Sequence, residues 1–168
     1  KPKGVLLSHS NIVSNLNGVA QLFPIDHSDV SVSFLPWAHS FGQTCELHCM
    51  ISRGAAMAMA EAVDKLLANF LEVKPTLMFS VPRIFNRIYD GVNKQMAASA
   101  VKKTLFDAAI DAAVKRKQGR GGPLNELKFK ILDKIVLSKV RAKLGGRMRF
   151  ALSGGAALSK DVGEFIDN

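Results

Sequence analysis

Short hydrophobic runs of strand length recur along the chain, and each is closed by proline, glycine or a polar turn. Aliphatic and small apolar residues dominate these runs, as expected of strands in a buried sheet. The run at 55–60 is apolar throughout, which predicts a strand that is covered on both faces. The predicted strands are residues 5–7, 31–35, 55–60, 76–81 and 147–152.

Between these runs, apolar residues recur at three- and four-residue spacing, which predicts amphipathic helices. The predicted helices are residues 10–23, 40–52, 63–73, 82–89, 101–117, 124–144 and a last helix that begins after Ser159. Ser10 and Ser159 are the expected N-caps. The pattern directs three apolar rows toward the core, namely Ile12, Val13, Leu16, Val19, Ala20 and Phe23; Leu66, Leu67, Phe70 and Leu71; and Leu124, Leu127, Ile131 and Ile135. Along the helix at 124–144, Lys130, Lys134 and Arg141 form a separate basic row.

The alternation of strands and helices predicts an α/β fold, with a mainly parallel sheet and flanking helices in αβα layers. Helices at about 99–144 follow one another without a strand, so this region is predicted to be a helical insertion. A chain of 168 residues can bury one core, which makes it one domain or part of one.

Positive charge is concentrated in the insertion. Residues 99–149 contain 14 Lys or Arg and 4 Asp or Glu, a net charge of +10, whereas the whole chain carries +9. A basic surface favours an anionic partner such as lipid head groups or nucleic acid, although a solvated lysine face is the commoner explanation. Stacking aromatics and groove-binding motifs are missing there, so we expect no nucleic acid. Contact with an anionic membrane is expected to be peripheral, because no apolar run is long enough to span a bilayer.

Cys45 and Cys49 lie four residues apart on a predicted helix, with His48 between them. This spacing places two thiols on one face, where His39 or His48 could complete a zinc site. No C-x-x-C pair or second ligand pair exists, however. We therefore predict reduced thiols, no metal site and a cytoplasmic location.

Three loops carry the candidate chemistry. Residues 34–42 combine a strand end with Pro36, His39 and Gly42, residues 153–158 contain two glycines and two alanines, and the chain opens with a cationic turn. Open α/β sheets bind ligands at the carboxyl ends of their strands, so the three loops are expected to converge on one ligand. Backbone without side chains can approach a flat ligand closely. A buried turn with a core histidine and a plain strand-to-helix turn are the alternative interpretations.

Together these segments resemble the adenylate-forming acyl-CoA synthetase superfamily, and within it the long-chain fatty-acid CoA ligases. The resemblance is carried by Lys1-Pro2-Lys3-Gly4-Val5 with Leu7-Ser8-His9 and Asn11, by Phe34-Leu35-Pro36 with His39 and Gly42, by Val81-Pro82-Arg83 with Ile88-Tyr89-Asp90, and by Gly146-Arg147 through Leu158. Trp37 stands where a smaller aliphatic residue is usual, and Ala157 where proline is common, so the length of the acyl chain stays open. The resemblance implies that residues 1–168 are an internal part of the N-terminal adenylation domain, without the C-terminal domain.

The resemblance also implies a reaction, in which a medium- or long-chain fatty acid is activated by ATP and Mg²⁺ to an acyl-adenylate and then passed to coenzyme A. Lys3 and Gly4 are expected to bind the ATP phosphates, and His39 to orient the carboxylate in the catalytic site. One loop is expected to run alongside the adenine and the acyl group, namely Ser153, Gly154, Gly155, Ala156 and Ala157. The candidates for the wall of the acyl pocket are Trp37, Ser40, Phe41 and Gly42.

The family's magnesium, ribose and lysine motifs are expected beyond residue 168, so the isolated chain is predicted to be inactive. Two other functions stay open at this point. One is an adenylate-forming ligase for another carboxylate, such as an aromatic acid, and the other is a non-catalytic basic module at a membrane surface.

Overall fold

Four parallel strands form a single sheet in the order β2-β1-β3-β4. The computed structural model describes residues 3–167, so Lys1 and Pro2 of the opening motif and Asn168 lie outside the described residues. The strands are β1 (Val30–Ser33), β2 (Ala56–Met59), β3 (Leu77–Ser80) and β4 (Phe150–Ser153). The predicted parallel α/β sheet is confirmed.

Helices follow the strands as the sequence pattern predicts. They are α1 (His9–Leu22), α2 (Cys49–Ser52), α3 (Leu66–Val73), α4 (Pro82–Ala97), α5 (Ala100–Lys117), α6 (Gly122–Leu132), α7 (Ser138–Lys143) and α8 (Lys160–Ile166). A π-helix, Phe41–His48, leads into α2, a short 3₁₀ turn, Val63–Lys65, leads into α3, and a second π-helix, Asp133–Leu137, joins α6 to α7. The predicted insertion therefore consists of α5, α6, the second π-helix and α7. None of the described helices is long and apolar enough to cross a bilayer.

Side chains alternate across the sheet and define two helical layers. Val32 and Met78 pack in one cluster with residues of α3, α4 and α8. Leu77 and Phe79, on the opposite face, pack with residues of α1 and α2. The insertion packs on α4 and α8 around Phe106 and forms a core of its own. The three-layer prediction is thus confirmed.

Helix caps are set by local hydrogen bonds. The Ser159 hydroxyl accepts the Val162 N–H at 3.4 Å and caps α8, as predicted. Helix α1 is capped by Ser8 rather than Ser10, because the side chains of Ser8 and Asn11 form a reciprocal capping box. Both serines are good N-caps, and the asparagine three residues after Ser8 favours the first of them.

Two strand predictions are wrong at the borders of the sheet. Residues 5–7 form no strand, and Leu6 is fully exposed. An extended segment becomes a strand only beside a partner, and no described strand lies next to this one. Strand β2 exists, but it is not covered on both faces, and Met59 is 62% exposed. The reason is that β2 lies at the edge of the sheet and pairs with β1 alone.

The predicted inward rows of two helices are only partly buried. In α3, Leu66 and Phe70 are buried, whereas Leu67 and Leu71 are each 52% exposed. Helix α1 has no buried residue at all, and its Val13 is 50% exposed. Each of these helices touches the sheet along a stripe that is narrower than its apolar face.

The inward row predicted for the last insertion helix is wrong. Its four members are exposed, with fractions of 81% for Leu124, 58% for Leu127, 51% for Ile131 and 47% for Ile135. The buried row is instead Leu132, Val136 and Leu137, which packs against α5. Both rows have helical spacing, so the sequence pattern alone does not choose between them.

An ion pair between a buried carboxylate and a partly exposed arginine holds the amino ends of the strands together. Asp29, which is fully buried, accepts hydrogen bonds from the Thr76 hydroxyl at 2.6 Å and from Arg149 Nη1 at 2.9 Å. Arg149 also donates to the Pro24 carbonyl at 3.2 Å. These bonds join the start of β1 to the starts of β3 and β4. The loops of the candidate site lie at the other end of these strands, at their carboxyl ends.

Candidate active site

The carboxyl ends of β1, β3 and β4 lie at one edge of the sheet because the strands are parallel. The loops that follow these strands meet there. The Gly154 N–H donates to the Ser80 carbonyl at 3.0 Å, which ties the loop after β4 to the end of β3. A Cβ built on Gly155 would lie 3.8 Å from Val81 Cγ1, so this loop runs directly beside the one after β3.

The loop between β1 and the π-helix Phe41–His48 is held by its own backbone. The His39 N–H donates to the Pro36 carbonyl at 2.9 Å, and the His39 carbonyl accepts the Gln43 N–H at 2.9 Å. Gly42 packs against the same turn, where a Cβ would lie 2.9 Å from the Pro36 oxygen. Only glycine fits at this position without displacing Pro36. Gly42 therefore shapes the loop, and does not line the cavity described next.

His39 is fixed in one tautomer by this loop. Its Nδ1 accepts the Phe41 N–H at 3.2 Å, so the proton of the neutral ring lies on Nε2. The side chain is exposed and lines a cavity of about 400 Å³ at the sheet edge. An Nε2–H group in that position is a hydrogen-bond donor for an anion.

The cavity joins residues that are far apart in the sequence. Helix α1 contributes Asn11 and Asn15, the loop after β1 contributes His39 and Phe41, and the loop after β4 contributes Gly155. Leu7, Ile12 and Phe41 make much of the wall apolar, and asparagine amides, an imidazole N–H and bare glycine backbone add polar groups around the open hollow. Such a surface can bind a polar ligand with a flat part against the backbone.

Phe41 and Gly154 connect two of these loops by direct packing. A Cβ on Gly154 would overlap the Phe41 ring, so the lack of a side chain is required for this contact. Gly155 has a φ of +81°, in the left-handed region that favours glycine. The first glycine thus admits a protein side chain, and the second shapes the turn beside the cavity.

The remaining predicted site residues are placed less closely. Ser40 lines the cavity, whereas Ala156 and Ala157 are exposed and do not line it, and Ser153 is the exposed last residue of β4. Lys3 and Gly4 are exposed outside the cavity, although Leu7, a few residues on, reaches its wall. The structure therefore brings His39, Ser40, Phe41 and Gly155 together, whereas Lys3 and Gly4 do not line the cavity that joins them.

Trp37 turns away from the cavity toward β1. Its side chain is half-buried, and Nε1 donates to the Ser33 hydroxyl at 3.2 Å. The Ser33 hydroxyl in turn lies 2.9 Å from Glu46 Oε2.

Glu46 was not predicted from the sequence. It lies in the π-helix Phe41–His48 and is fully buried. Burial raises the pKa of its carboxyl from 4.5 to about 7, while hydrogen bonds from Ser33 and Ser31 act in the opposite direction. The signal was present in β1, whose Val-Ser-Val-Ser alternation points two hydroxyls at the helix that covers them. A buried polar face on a central strand requires a polar partner.

The cysteines do not form a zinc site in the described part of the chain. Between residues 3 and 167, no three His, Cys, Asp or Glu side chains are grouped to hold a metal ion. Burial also raises the pKa of both the Cys45 and Cys49 thiols, which disfavours the thiolate that zinc requires.

The fold is α/β, with an open cavity at the carboxyl ends of a parallel sheet, which is where open α/β sheets generally bind ligands. The whole chain, residues 1–168, matches the family model described as AMP-binding enzyme. The chain therefore belongs to the AMP-binding enzyme family.

Curated relatives narrow the comparison. The chain is 38% identical over 169 residues to long chain acyl-CoA synthetase 7, peroxisomal, and 37% identical over 172 residues to long chain acyl-CoA synthetase 4, both from Arabidopsis thaliana. These matches cover 98% of this chain, and 23% and 25% of the two relatives. The chain thus spans about a quarter of the length of the relatives it matches.

Solved structures agree on the fold. The crystal structure of ATP-bound MatB from Rhodopseudomonas palustris matches 95% of this chain and 23% of its own, with a TM-score of 0.57 and 20% sequence identity. An ATP-bound RpMatB-BxBclM chimera matches equally well. At this level of identity the likeness concerns the fold alone.

Proposed function

We propose that the full-length protein is an acid–thiol ligase, which uses ATP to convert a medium- or long-chain fatty acid to an acyl-adenylate and then to its coenzyme A thioester. The observation that carries this proposal is the match of nearly the whole chain, at 33–38% identity, to proteins named long chain acyl-CoA synthetases. On this proposal the chain is part of the N-terminal adenylation domain.

The reaction brings a carboxylate to the α-phosphate of ATP, so two anions that repel each other must be held close together. Positioning and charge stabilisation, rather than proton transfer, supply the rate. The Nε2–H of His39 is suited to donate to the fatty-acid carboxylate. The backbone at Gly154 and Gly155 is suited to lie close against a flat adenylate. Lys3 and Gly4 are proposed to contact the ATP phosphates, and Ser153, Ala156 and Ala157 to continue the adenylate loop.

The acyl pocket is proposed to begin at the loop after β1, with Ser40 and Phe41 in its wall and with Trp37 and Gly42 shaping the loop behind it. ATP and coenzyme A are substrates on this proposal, and Mg²⁺ accompanies ATP. No group of three metal-ligating side chains was found among residues 3–167, so no step of the proposal passes through Mg²⁺ bound there.

The proposal is tested on the full-length protein by measuring pyrophosphate release with a panel of acids, at saturating ATP and coenzyme A. Saturated fatty acids of increasing length are compared with benzoate and a cinnamate. We expect the highest kcat/KM for a medium- or long-chain acid. A preference for the aromatic acids would replace the fatty acid with the alternative substrate, and the absence of pyrophosphate with every acid would overturn the ligase assignment.

The isolated 168 residues are predicted to make no acyl-adenylate, because the proposed active site needs groups that the cavity does not supply. The measurement is pyrophosphate release from ATP and a long-chain fatty acid, with the full-length protein as the positive control. Detectable release by the isolated chain would contradict this prediction.

We also propose that the insertion contacts anionic membranes peripherally. The exposed apolar row on α6 (Leu124, Leu127 and Ile131) lies on the same helix as the exposed Lys128 and Lys130. An apolar stripe with flanking cations is suited to the interface of an anionic bilayer. This chemistry matches the charge of residues 99–149 and the proposed fatty-acid substrate.

Co-sedimentation of the full-length protein with vesicles tests this contact. Vesicles of phosphatidylcholine alone are compared with vesicles that also contain phosphatidylserine. Each lysine near the surface contributes about 1 kcal/mol, so Lys128→Gln/Lys130→Gln should weaken binding by at least about tenfold. Lys160→Gln, an exposed lysine on α8, is the control. Binding that ignores phosphatidylserine would remove the proposal.

We propose that the protein is cytoplasmic, with a fraction at membranes. Two of the relatives carry the word peroxisomal in their names. Fractionation of cells that express the tagged full-length protein distinguishes the two compartments.

A further inference from the structure

Glu46 is the one fully buried carboxyl on the π-helix that follows the His39 loop. It lies under β1, where its Oε2 accepts the Ser33 hydroxyl at 2.9 Å and its Oε1 lies 3.4 Å from the Ser31 hydroxyl. A purely structural role does not require a carboxyl there, since an apolar side chain of similar volume is often as stable as a buried polar network. The proposed reaction gives Glu46 no direct task.

The hydrogen bonds continue from Glu46 to the loop. A serine hydroxyl has one proton to donate and lone pairs to accept. Because Ser33 gives its proton to Glu46, its lone pairs are free for the Trp37 Nε1–H, which lies 3.2 Å away. Glu46 thus sets the direction of the Ser33 hydroxyl, and Ser33 holds the indole.

Trp37 lies two residues before His39. The loop that contains it is closed by hydrogen bonds among Pro36, His39 and Phe41. The hydrogen bond from its indole to Ser33 attaches this loop to strand β1. A helix whose backbone departs from the α pattern at this point is typical of functional sites. Burial also raises the pKa of Glu46 to about 7, so its carboxyl changes charge in the neutral range.

We propose that Glu46 is a positioning residue, which acts through Ser33 to hold Trp37 and thereby fixes the His39 loop at the fatty-acid side of the site. The proposal rests on the proposed function for its kinetic consequence. Because Glu46 acts through the His39 loop, which the proposed function assigns to the fatty acid, its loss should affect the fatty acid and leave ATP binding unchanged.

The kinetic test uses the full-length protein with Glu46→Met, Glu46→Gln and the control Glu72→Met, an exposed glutamate on α3. Loss of one hydrogen bond of about 0.5–1.5 kcal/mol corresponds to a factor of about two to thirteen, at 1.36 kcal/mol per tenfold change. We expect Glu46→Met to raise the KM for the fatty acid by that factor, with the KM for ATP within about twofold. Glu46→Gln keeps an oxygen that accepts from Ser33 and should restore the fatty-acid KM.

A double-mutant cycle separates positioning from general destabilisation. In a Trp37→Phe background the indole donor is gone, so Glu46→Met should produce no further change in the fatty-acid KM. The same fold-change in both backgrounds would overturn the proposal, as would equal effects of Met and Gln at position 46. If Glu46→Met does not fold, Ser33→Ala breaks the same connection and takes its place in the cycle.

Indole fluorescence gives a readout that does not depend on activity. The emission of Trp37 is obtained by subtracting the spectrum of the Trp37→Phe variant. Glu46→Met should shift this emission to the red as the indole is released to water, and Glu46→Gln should not. If no acid supports pyrophosphate release, the ligase assignment fails while the fluorescence still decides the positioning role. An unshifted emission in Glu46→Met would overturn the latter by itself.

Discussion

The carboxyl edge of the sheet and the helical insertion both follow regular sequence patterns, but the strand predicted at β1 is confirmed, whereas the inward row predicted for the insertion is wrong. In β1, valines alternate with serines, and each set lies on one face: Val32 packs toward α3 and α4, and Ser31 and Ser33 face the π-helix. In the insertion, two apolar rows share one helix, and the row that looks more regular is exposed. A strand has two faces, whereas a helix with apolar residues on much of its surface offers several.

The sharpest test of this contrast compares neighbouring residues of α6. Leu132 is 8% exposed and packs against α5, whereas Ile131 is 51% exposed. Leu132→Ala should lower the free energy of unfolding by about 3 kcal/mol through lost burial and a cavity. Ile131→Ala should change it by no more than about 0.5 kcal/mol.

Urea unfolding of the full-length variants measures both values. Equal losses at the two positions would mean that the exposed row is covered in the full-length protein and that the contrast does not hold.

The buried carboxyl of Glu46, which lies under β1, is expected to make the free energy of unfolding depend on pH. Its pKa is about 7 in the folded chain against an ordinary value of 4.5, so the folded state binds this proton more tightly. Its contribution to stability is therefore fully present below about pH 4.5 and is lost as the pH rises through about 7. At 1.36 kcal/mol per unit, the loss is about 3 kcal/mol.

Glu46→Gln cannot titrate and provides the reference. The free energy of unfolding of the wild type, minus that of the variant, should fall by this amount between about pH 4.5 and about pH 8. A difference that stays flat, or that rises with pH, would show that the carboxyl is not held in a dry environment.

The third test concerns the contact between the two loops at the site. Gly154→Val should displace the Phe41 ring and with it the His39 loop, since a side chain at this position overlaps the ring. Misplacement of a reacting group by about 1 Å costs roughly 100-fold in rate, so kcat/KM for the fatty acid should fall by about that factor.

Gly91→Val on α4 is the matched control, because a Cβ there meets no atom within 4 Å. The assay is pyrophosphate release by the full-length variants, with thermal unfolding to confirm that both are folded. Equal activity of the two variants would separate the Phe41–Gly154 contact from function.

The candidate site was predictable to the extent that it depends on strand order. Prolines and glycines mark where strands end, and parallel strands end at one edge, so the meeting of His39 and Gly155 follows from local signals. The roles of Trp37 and Gly154 did not follow. Their partners, Ser33 and Phe41, are set by side-chain directions that depend on the packed helix.

By itself the sequence determined the strand and helix alternation, the parallel sheet, the insertion and the family, because these depend on periodicity, turn residues and motifs along the chain. Only the tertiary structure decided which apolar row of α6 is buried, that β2 is an edge strand, and that Glu46 lies beneath β1. Burial depends on which neighbour covers a face, and a pattern within one element contains no information about that neighbour. A carboxyl becomes a buried partner of two serines only when the helix that carries it has packed on their strand.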